Sequence, residues 1–332
     1  MTLLAVRDVV VDYAVPAGPL RAPRRLRVVD GVSLDVASGE ALGIVGESGC
    51  GKTTLARAML GLVPLAAGSV RLDGVPLAGL PAEELRRLRA RMQIVFQDPL
   101  AALDPRMTVG QIVAEPLRVH RGDLSAAERR ERVAAMLERV GLSGSIMGRY
   151  PHEFSGGQCQ RIGIARALVL KPDLVVCDEP VSALDLSVRA QILALLAELR
   201  EEMGLALVFI AHDLAAVRQL CQRVMVMYAG RSAELAATGT LFSRPLHPYT
   251  RALLAAIPPA DPAAARRIVP LAGEPPSLAD PPSGCRFRVR CPLAIDACAA
   301  ERPPDRSLPG ARVACIRAHE SLPTVQPAQT SP

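Results

Sequence analysis

Residues 46–54, GESGCGKTT, constrain this chain more than any other stretch. They match the pattern GxxxxGK(S/T), follow a short apolar run at residues 41–45, and open a helical pattern over residues 52–60. Strand, glycine-rich turn and helix in that order make a cradle for a phosphate chain. Gly46, Gly49 and Gly51 let the backbone wrap with its N–H groups inward, Glu47, Ser48 and Cys50 complete the loop, and the helix N-terminus adds its positive dipole end. Lys52 is placed to reach the β- and γ-phosphates, and the hydroxyl of Thr53, followed by Thr54, is placed to ligate Mg2+. Only Lys52 and Lys171 among the 39 Lys+Arg residues are lysine, so Lys52 stands where arginine would not serve. A chance match in a chain of this length is on the order of 1% from ordinary residue frequencies, which sets aside a plain glycine-rich turn.

A second segment supplies what a phosphate site needs for hydrolysis. Residues 174–180, LVVCDEP, are an apolar strand ending in two carboxylates, which puts both at the carboxyl edge of a sheet, where open α/β folds bind ligands. Asp178 is placed to orient Mg2+ and its water, and Glu179 to polarise the attacking water as general base. Alone, such a pair commonly just begins a loop; downstream of the phosphate loop the catalytic reading prevails. Ser155, Gly156, Gly157 and Gln158 open another helix. Ser155 with Gln158 satisfies the S-x-x-Q capping box, so a helix cap is the first reading, while paired glycines at a helix start also make an anion site.

The rest of the chain reads as α/β. Residues 3–11 and 27–36 are expected strands separated by a Pro/Arg-rich loop at 16–25, and 92–96 is another strand. Helical periodicity covers residues 125–140, 155–170 and 187–203, and short apolar strands fall at 174–177, 205–210 and 224–227. Continuously apolar strands between helices imply a parallel sheet covered on both faces. After about residue 257 the chain turns proline-rich and carries Cys285, Cys291, Cys298 and Cys315, a loop-rich appendage. No internal repeat is visible. Residues 86–91 within LRRLRAR read as a solvated helix face, and the other basic residues are spread along the chain. With no Trp, four Tyr and five Phe, a base-stacking platform is not apparent, so the net charge of +6 does not argue for nucleic acid. No apolar run reaches about 18 residues, and the N-terminus lacks a signal-peptide pattern, so a cytosolic chain that borrows any membrane part from a partner is expected.

Three further segments narrow the class. Gln97 lies in VFQDP, Asp185 ends SALD at residues 182–185, and His212 lies in FIAHD. With the phosphate loop, SGGQ and DEP in that order over residues 46–212, the set resembles the ABC ATPase family. The resemblance implies an ABC-type P-loop NTPase domain over residues 1–257, with a mixed sheet, N-terminal antiparallel strands and an inserted helical subdomain at about 98–170. It further implies ATP and Mg2+ as ligands and a head-to-tail pair of such domains, in which Ser155 and Gly157 of one chain contact the γ-phosphate held by Lys52 of the other. Gln97 would touch Mg2+ and couple the site to a membrane partner. His212 would hold the γ-phosphate and position the water, Asp185 would contact across the pair, and Tyr13 would stack on adenine, with ordinary packing as the alternative for a strand tyrosine. The chain departs from the family's usual pattern at Cys159, where arginine often follows SGGQ beside the γ-phosphate contacts, and at Thr53, where serine is more usual.

RPLHPYTRALLAAIP at residues 244–258 and GEPPSL with SGCRFRVRCPLAIDAC beyond it resemble the oligopeptide/dipeptide (peptide/nickel) importer branch, with its C-terminal extension at residues 258–332. That implies uptake of peptides, with nickel or another small solute as the alternative and a soluble DNA- or ribosome-directed ATPase as the reading from another class. It also implies a second ATPase subunit that is a non-identical sister, two permeases, an extracytoplasmic solute-binding protein, and a peripheral place on the cytoplasmic face of the inner membrane. Cys50, Cys159, Cys177 and Cys221 are expected to be buried free thiols. The spacing C-x5-C-x6-C-x16-C of the other four lacks the close pair usual for zinc, and a cytosolic setting argues against disulfides. A 4Fe-4S cluster, ordinary thiols and zinc all stay open.

Overall fold

The structure, a computed structural model, describes residues 1–16, 24–257 and 273–318. The loop expected at 16–25 and the two ends of the extension lie largely outside these residues. The chain begins with β1 (Thr2–Val15) and β2 (Arg24–Ala37), paired antiparallel with Tyr13 opposite Leu26. Then come β3 (Ala41–Val45), α1 (Lys52–Met59), β4 (Ala67–Leu72) and β5 (Val75–Pro76). Strands β2-β1-β4-β5 form one four-stranded antiparallel sheet. Helix α2 (Ala82–Arg91) buries no residue, and Arg86 and Arg87 pair with Glu83 one turn back on its solvent face.

Strand β6 (Met92–Val95) leads into α3 (Val109–His120), α4 (Ala126–Arg139) and α5 (Gly156–Leu168), which pack on one another within the stretch expected to be helical. Thr108, Ser125 and Ser155 close a reciprocal capping box at the start of each. The alternation then resumes with β7 (Leu174–Asp178), α6 (Leu186–Met203), β8 (Ala206–Ala211), α7 (Leu214–Leu220) and β9 (Arg223–Tyr228). Strand β10 (Arg231–Ala237), α8 (Thr238–Ser243), α9 (Pro248–Ala255), α10 (Ala297–Ala300), β11 (Arg306–Leu308) and β12 (Ala311–Val313) complete the chain.

The second sheet has the order β11-β12-β10-β9-β3-β8-β7-β6. Strands β9, β3, β8, β7 and β6 run parallel, whereas β10 and β12 are antiparallel to their neighbours, so the sheet is mixed. Its parallel strands read as unbroken apolar runs because both faces are covered. Val175, Cys177, Leu207 and Phe209 face a core shared with the helical layer, while Leu174, Val176, Ala206 and Val208 face one shared with β1, β2 and α1.

The extension is built into this sheet. Strand β12 pairs with β10 in the register Glu234↔Val313, Leu235↔Arg312 and Ala236↔Ala311. Asp30 on β2 accepts from Arg231 at 2.8 Å and from the buried Arg286 at 2.7 Å, and Arg302 donates to the Asp30 carbonyl. The composition shift near residue 257 therefore marks a change of chain texture, and the sheet continues across it.

Candidate functional site

Parallel strands end on one edge of a sheet, and here that edge collects the chemistry. Gly46 follows β3, Gln97 lies two residues beyond β6, Glu179 follows β7 and His212 follows β8. The loop after β3 depends on Gly51, whose φ of 104° is costly for any side chain and whose Cβ would meet the Val28 carbonyl oxygen at 2.7 Å. Lys52 is 5% exposed, and its Nζ donates to the carbonyls of Gly46 (2.8 Å) and Glu47 (3.2 Å).

Glu179 is the hub. Its carboxylate accepts from Gln97 Nε2 at 3.3 Å, lies 3.2 Å from His212 Nδ1 and sits 3.8 Å from Lys52 Nζ. The residue also has a φ of +48°, a left-handed backbone that a non-glycine residue adopts at a cost of about 1–3 kcal/mol and that clusters at functional sites. Asp178 is 5% exposed; burial pushes its carboxyl upward, opposed by the hydrogen bond from Thr53 Oγ1 at 3.1 Å. A buried carboxylate beside a hydroxyl is a hard-oxygen set suited to Mg2+.

Other expected residues lie apart. Ser155 and Gln158 bond each other, Ser155 N–H to Gln158 Oε1 at 3.0 Å, and no described hydrogen bond joins residues 155–158 to the phosphate loop. Gly157 is required by packing, since a Cβ there would meet Val188 Cγ1 at 2.5 Å. Asp185 caps α6, accepting from Val188 N–H at 2.9 Å and Ser187 Oγ at 2.7 Å, bonds that hold its carboxyl below the usual range. Tyr13 is half-buried against the core beneath β1. Cys159 is fully buried and directs its Sγ to the Pro151 carbonyl at 3.5 Å, so it faces the interior of the helical layer.

Sequence reasoning missed two neighbours of the loop. Tyr249 Oη accepts from the Glu47 N–H at 3.0 Å, and Arg290 donates to both Glu47 carboxylate oxygens at 2.8 and 3.1 Å. The HPYT segment carrying Tyr249 stands out only as a branch hallmark, and Arg290 is one of many arginines.

All eight cysteines are free, and Cys50, Cys159, Cys177 and Cys221 are buried. Cys285, Cys291, Cys298 and Cys315 line one narrow cavity with His247 and Phe287, and burial pushes the Cys291 thiol up to about 11. Among the described residues, however, no three metal-ligating side chains group closely enough to hold a metal ion. The arrangement does not form a zinc site, and as it stands it offers no ready ligand set for a cluster.

The comparisons with known proteins fit this geometry. The ABC transporter family model matches residues 29–182, and the model for the oligopeptide/dipeptide transporter C-terminal region matches residues 233–298. The chain is 53% identical over 306 residues to the oligopeptide transport ATP-binding protein OppF of Salmonella typhimurium, covering 91% of this chain and 92% of that one. The chain belongs to the oligopeptide/dipeptide importer family of ABC transporter ATP-binding subunits. A putative peptide import ATP-binding protein of Brucella ovis is 52% identical over 316 residues, covering 95% of this chain and 98% of that one. Among solved structures, the dimeric post-hydrolysis state of the ATP-binding cassette MJ0796 bound to ADP and Pi aligns with TM-score 0.64 and 29% identity, over 71% of this chain and 99% of that one. CbiO1 from Clostridium perfringens aligns with TM-score 0.63 and 28% identity, over 73% of this chain and 91% of that one. The chain is accordingly an ABC-type ATPase with the fold of this family.

Proposed function

We propose that the subunit hydrolyses ATP at the edge formed by β3, β6, β7 and β8 and thereby drives uptake of di- and oligopeptides through membrane permeases. The convergence of Lys52, Gln97 and His212 on the strained Glu179 carries this reading. The loop of residues 46–54 cradles the phosphates, and Lys52 exchanges its loop carbonyls for β- and γ-phosphate oxygens. Thr53 and Asp178 would hold Mg2+, with Gln97 beside them; the ion supplies neutralisation of the charge that builds on the transferred phosphoryl group. Glu179 accepts a proton from the attacking water as its oxygen bonds to the γ-phosphorus and ADP leaves, while His212 orients that water.

Ser155, Gly156, Gly157 and Gln158 lie exposed or half-exposed at the start of α5, with no described hydrogen bond to the loop of their own chain, which supports their service to a partner's site. The same arrangement supports Asp185 at the partner contact, and the partner is a sister ATPase. Tyr13 stacks on adenine in this reading. Among the described residues no helix is long and apolar enough to cross a membrane, so two permeases supply the path, and a solute-binding protein outside delivers peptide. The subunit then sits on the cytoplasmic face of the inner membrane. Cys285, Cys291, Cys298 and Cys315 line one cavity, but their side chains are not grouped as metal ligands, which favours ordinary thiols over a 4Fe-4S cluster there. Iron and acid-labile sulfide in anaerobically purified protein test it, and colourless, iron-free protein would leave ordinary thiols.

Glu179→Gln is expected to bind ATP as wild type does while turnover falls well over tenfold. Unchanged turnover would remove Glu179 from the role of base.

A further inference from the structure

Glu47 is held from three sides. Its N–H donates to Tyr249 Oη at 3.0 Å, its carbonyl accepts from Lys52 Nζ at 3.2 Å, and its carboxylate takes both Arg290 bonds at 2.8 and 3.1 Å. Arg290 belongs to the C-terminal extension, yet its side chain is only 6% exposed where it reaches the loop. Its guanidinium also donates to Tyr228 Oη at 3.3 Å and lies over the Tyr228 ring, 5.9 Å from the centroid.

The support behind it is buried and closely packed. Tyr249 is fully buried, and the rings of Tyr228, Tyr249 and Phe287 pack with centroids 4.6 to 5.4 Å apart. His247 caps the helix that carries Tyr249, its Nδ1 accepting from the Tyr249 N–H at 3.0 Å. Phe287 and Arg290 come from the same short stretch of the extension, so one element supplies both the aromatic support and the guanidinium. Residues Pro275, Leu278 and Ala279 of that extension, with Leu26 and Glu47 to Cys50, also line a cavity of about 330 Å³ beside the loop.

A bidentate guanidinium–carboxylate pair, here with the guanidinium side chain mostly covered and the carboxylate side chain a quarter exposed, fixes orientation as well as distance, unlike a fully exposed ion pair worth little. We propose that Arg290 is a positioning residue of the nucleotide site: by fixing Glu47 it sets the course of the loop backbone that meets the phosphates, so the C-terminal extension governs affinity for ATP. This rests on residues 46–54 being the phosphate cradle.

The test uses the full chain, a fluorescent ATP analogue for Kd, and ATP turnover for KM and kcat. Arg290→Met is expected to raise Kd and KM about tenfold with kcat within about twofold, and Arg290→Lys to recover only part of the loss, because a point charge cannot bond both oxygens. Glu47→Gln should match Arg290→Met, and the double variant should be no worse than either single one, the mark of two groups acting as one unit. Lys52→Ala separates the two layers of the argument. If it binds nucleotide like wild type, the cradle assignment fails and the proposal with it. If it loses binding while Arg290→Met keeps wild-type Kd and KM, or if the Arg290 and Glu47 effects add, the positioning role is overturned. Should Arg290→Met yield too little folded protein, Arg290→Lys combined with Glu47→Gln completes the same cycle.

Discussion

At the residue scale, capping and close packing fix the start of α5 and α6. Ser155 and Asp185 are both helix caps by geometry, accepting backbone N–H bonds in the first turns of α5 and α6, and that local role leaves their outer faces exposed. Gly157 is more tightly constrained. The Cβ of an alanine would come within 2.5 Å of Val188 Cγ1, so α5 and α6 would have to separate. Gly157→Ala is expected to lower stability by about 1–3 kcal/mol, the usual cost of overpacking, and Val188→Ala to restore most of it in the double variant. Thermal midpoints of the four proteins check this; a Gly157→Ala midpoint equal to wild type would show that the helices adjust freely. Lys52 and Glu179 were legible because neighbours in sequence define them. Arg290 was not, because it lies 243 residues from Glu47 and nothing along the chain joins them.

At the element scale, Asp30 ties β2 to β10 and to the extension. Burial favours its neutral form, but the hydrogen bond and charge of Arg231, with the charges of Arg286 and Arg302, more than offset this and hold its carboxyl below the usual range. Burial also draws Arg286 down to about 10. Asp30→Asn would leave buried guanidinium charge without its counterion, and a loss of about 3 kcal/mol is expected. The sign with pH follows from the depressed value. The contribution is complete above the ordinary aspartate range and is lost as pH falls through the lower folded value. Denaturant titrations at neutral and strongly acidic pH should therefore show the gap between wild type and Asp30→Asn closing on acidification; a gap independent of pH would remove the charge from the explanation. Elements differ in legibility for related reasons. Strands β3, β7, β8 and β9 announce themselves as apolar runs, whereas β10 carries Arg231 and Glu234 and β12 is three residues long, so neither reads as sheet by pattern.

For the whole molecule, the consequence is that the extension completes the ATPase fold. Strand β12 covers the edge of β10, and Phe287 closes over Tyr228 and Tyr249. A chain ending at residue 257 is expected to expose that edge and those rings, and to elute as aggregate on size exclusion with enhanced binding of a hydrophobic dye. A monodisperse, dye-silent product would show that the cassette is self-sufficient. Relatives and solved structures place the chain among transport ATPases, and the path from the β3 edge through Glu47 to Arg290 adds a physical link between the phosphate loop and the cysteine-bearing extension.

By itself the sequence determined the phosphate loop, the carboxylates after β7, the parallel apolar strands and the helix cap at Ser155, because each depends on spacings of a few residues and on backbone chemistry that acts locally. It also carried the family, through the order of segments along residues 46–212. Tertiary structure alone decided that Gln97, Glu179 and His212 meet at one point, that Cys159 turns inward, and that the extension joins the sheet and grips Glu47. Those contacts join distant parts of the chain, and they form only when the parallel strands bring their carboxyl ends to a common edge and burial selects which of many charged side chains find partners there.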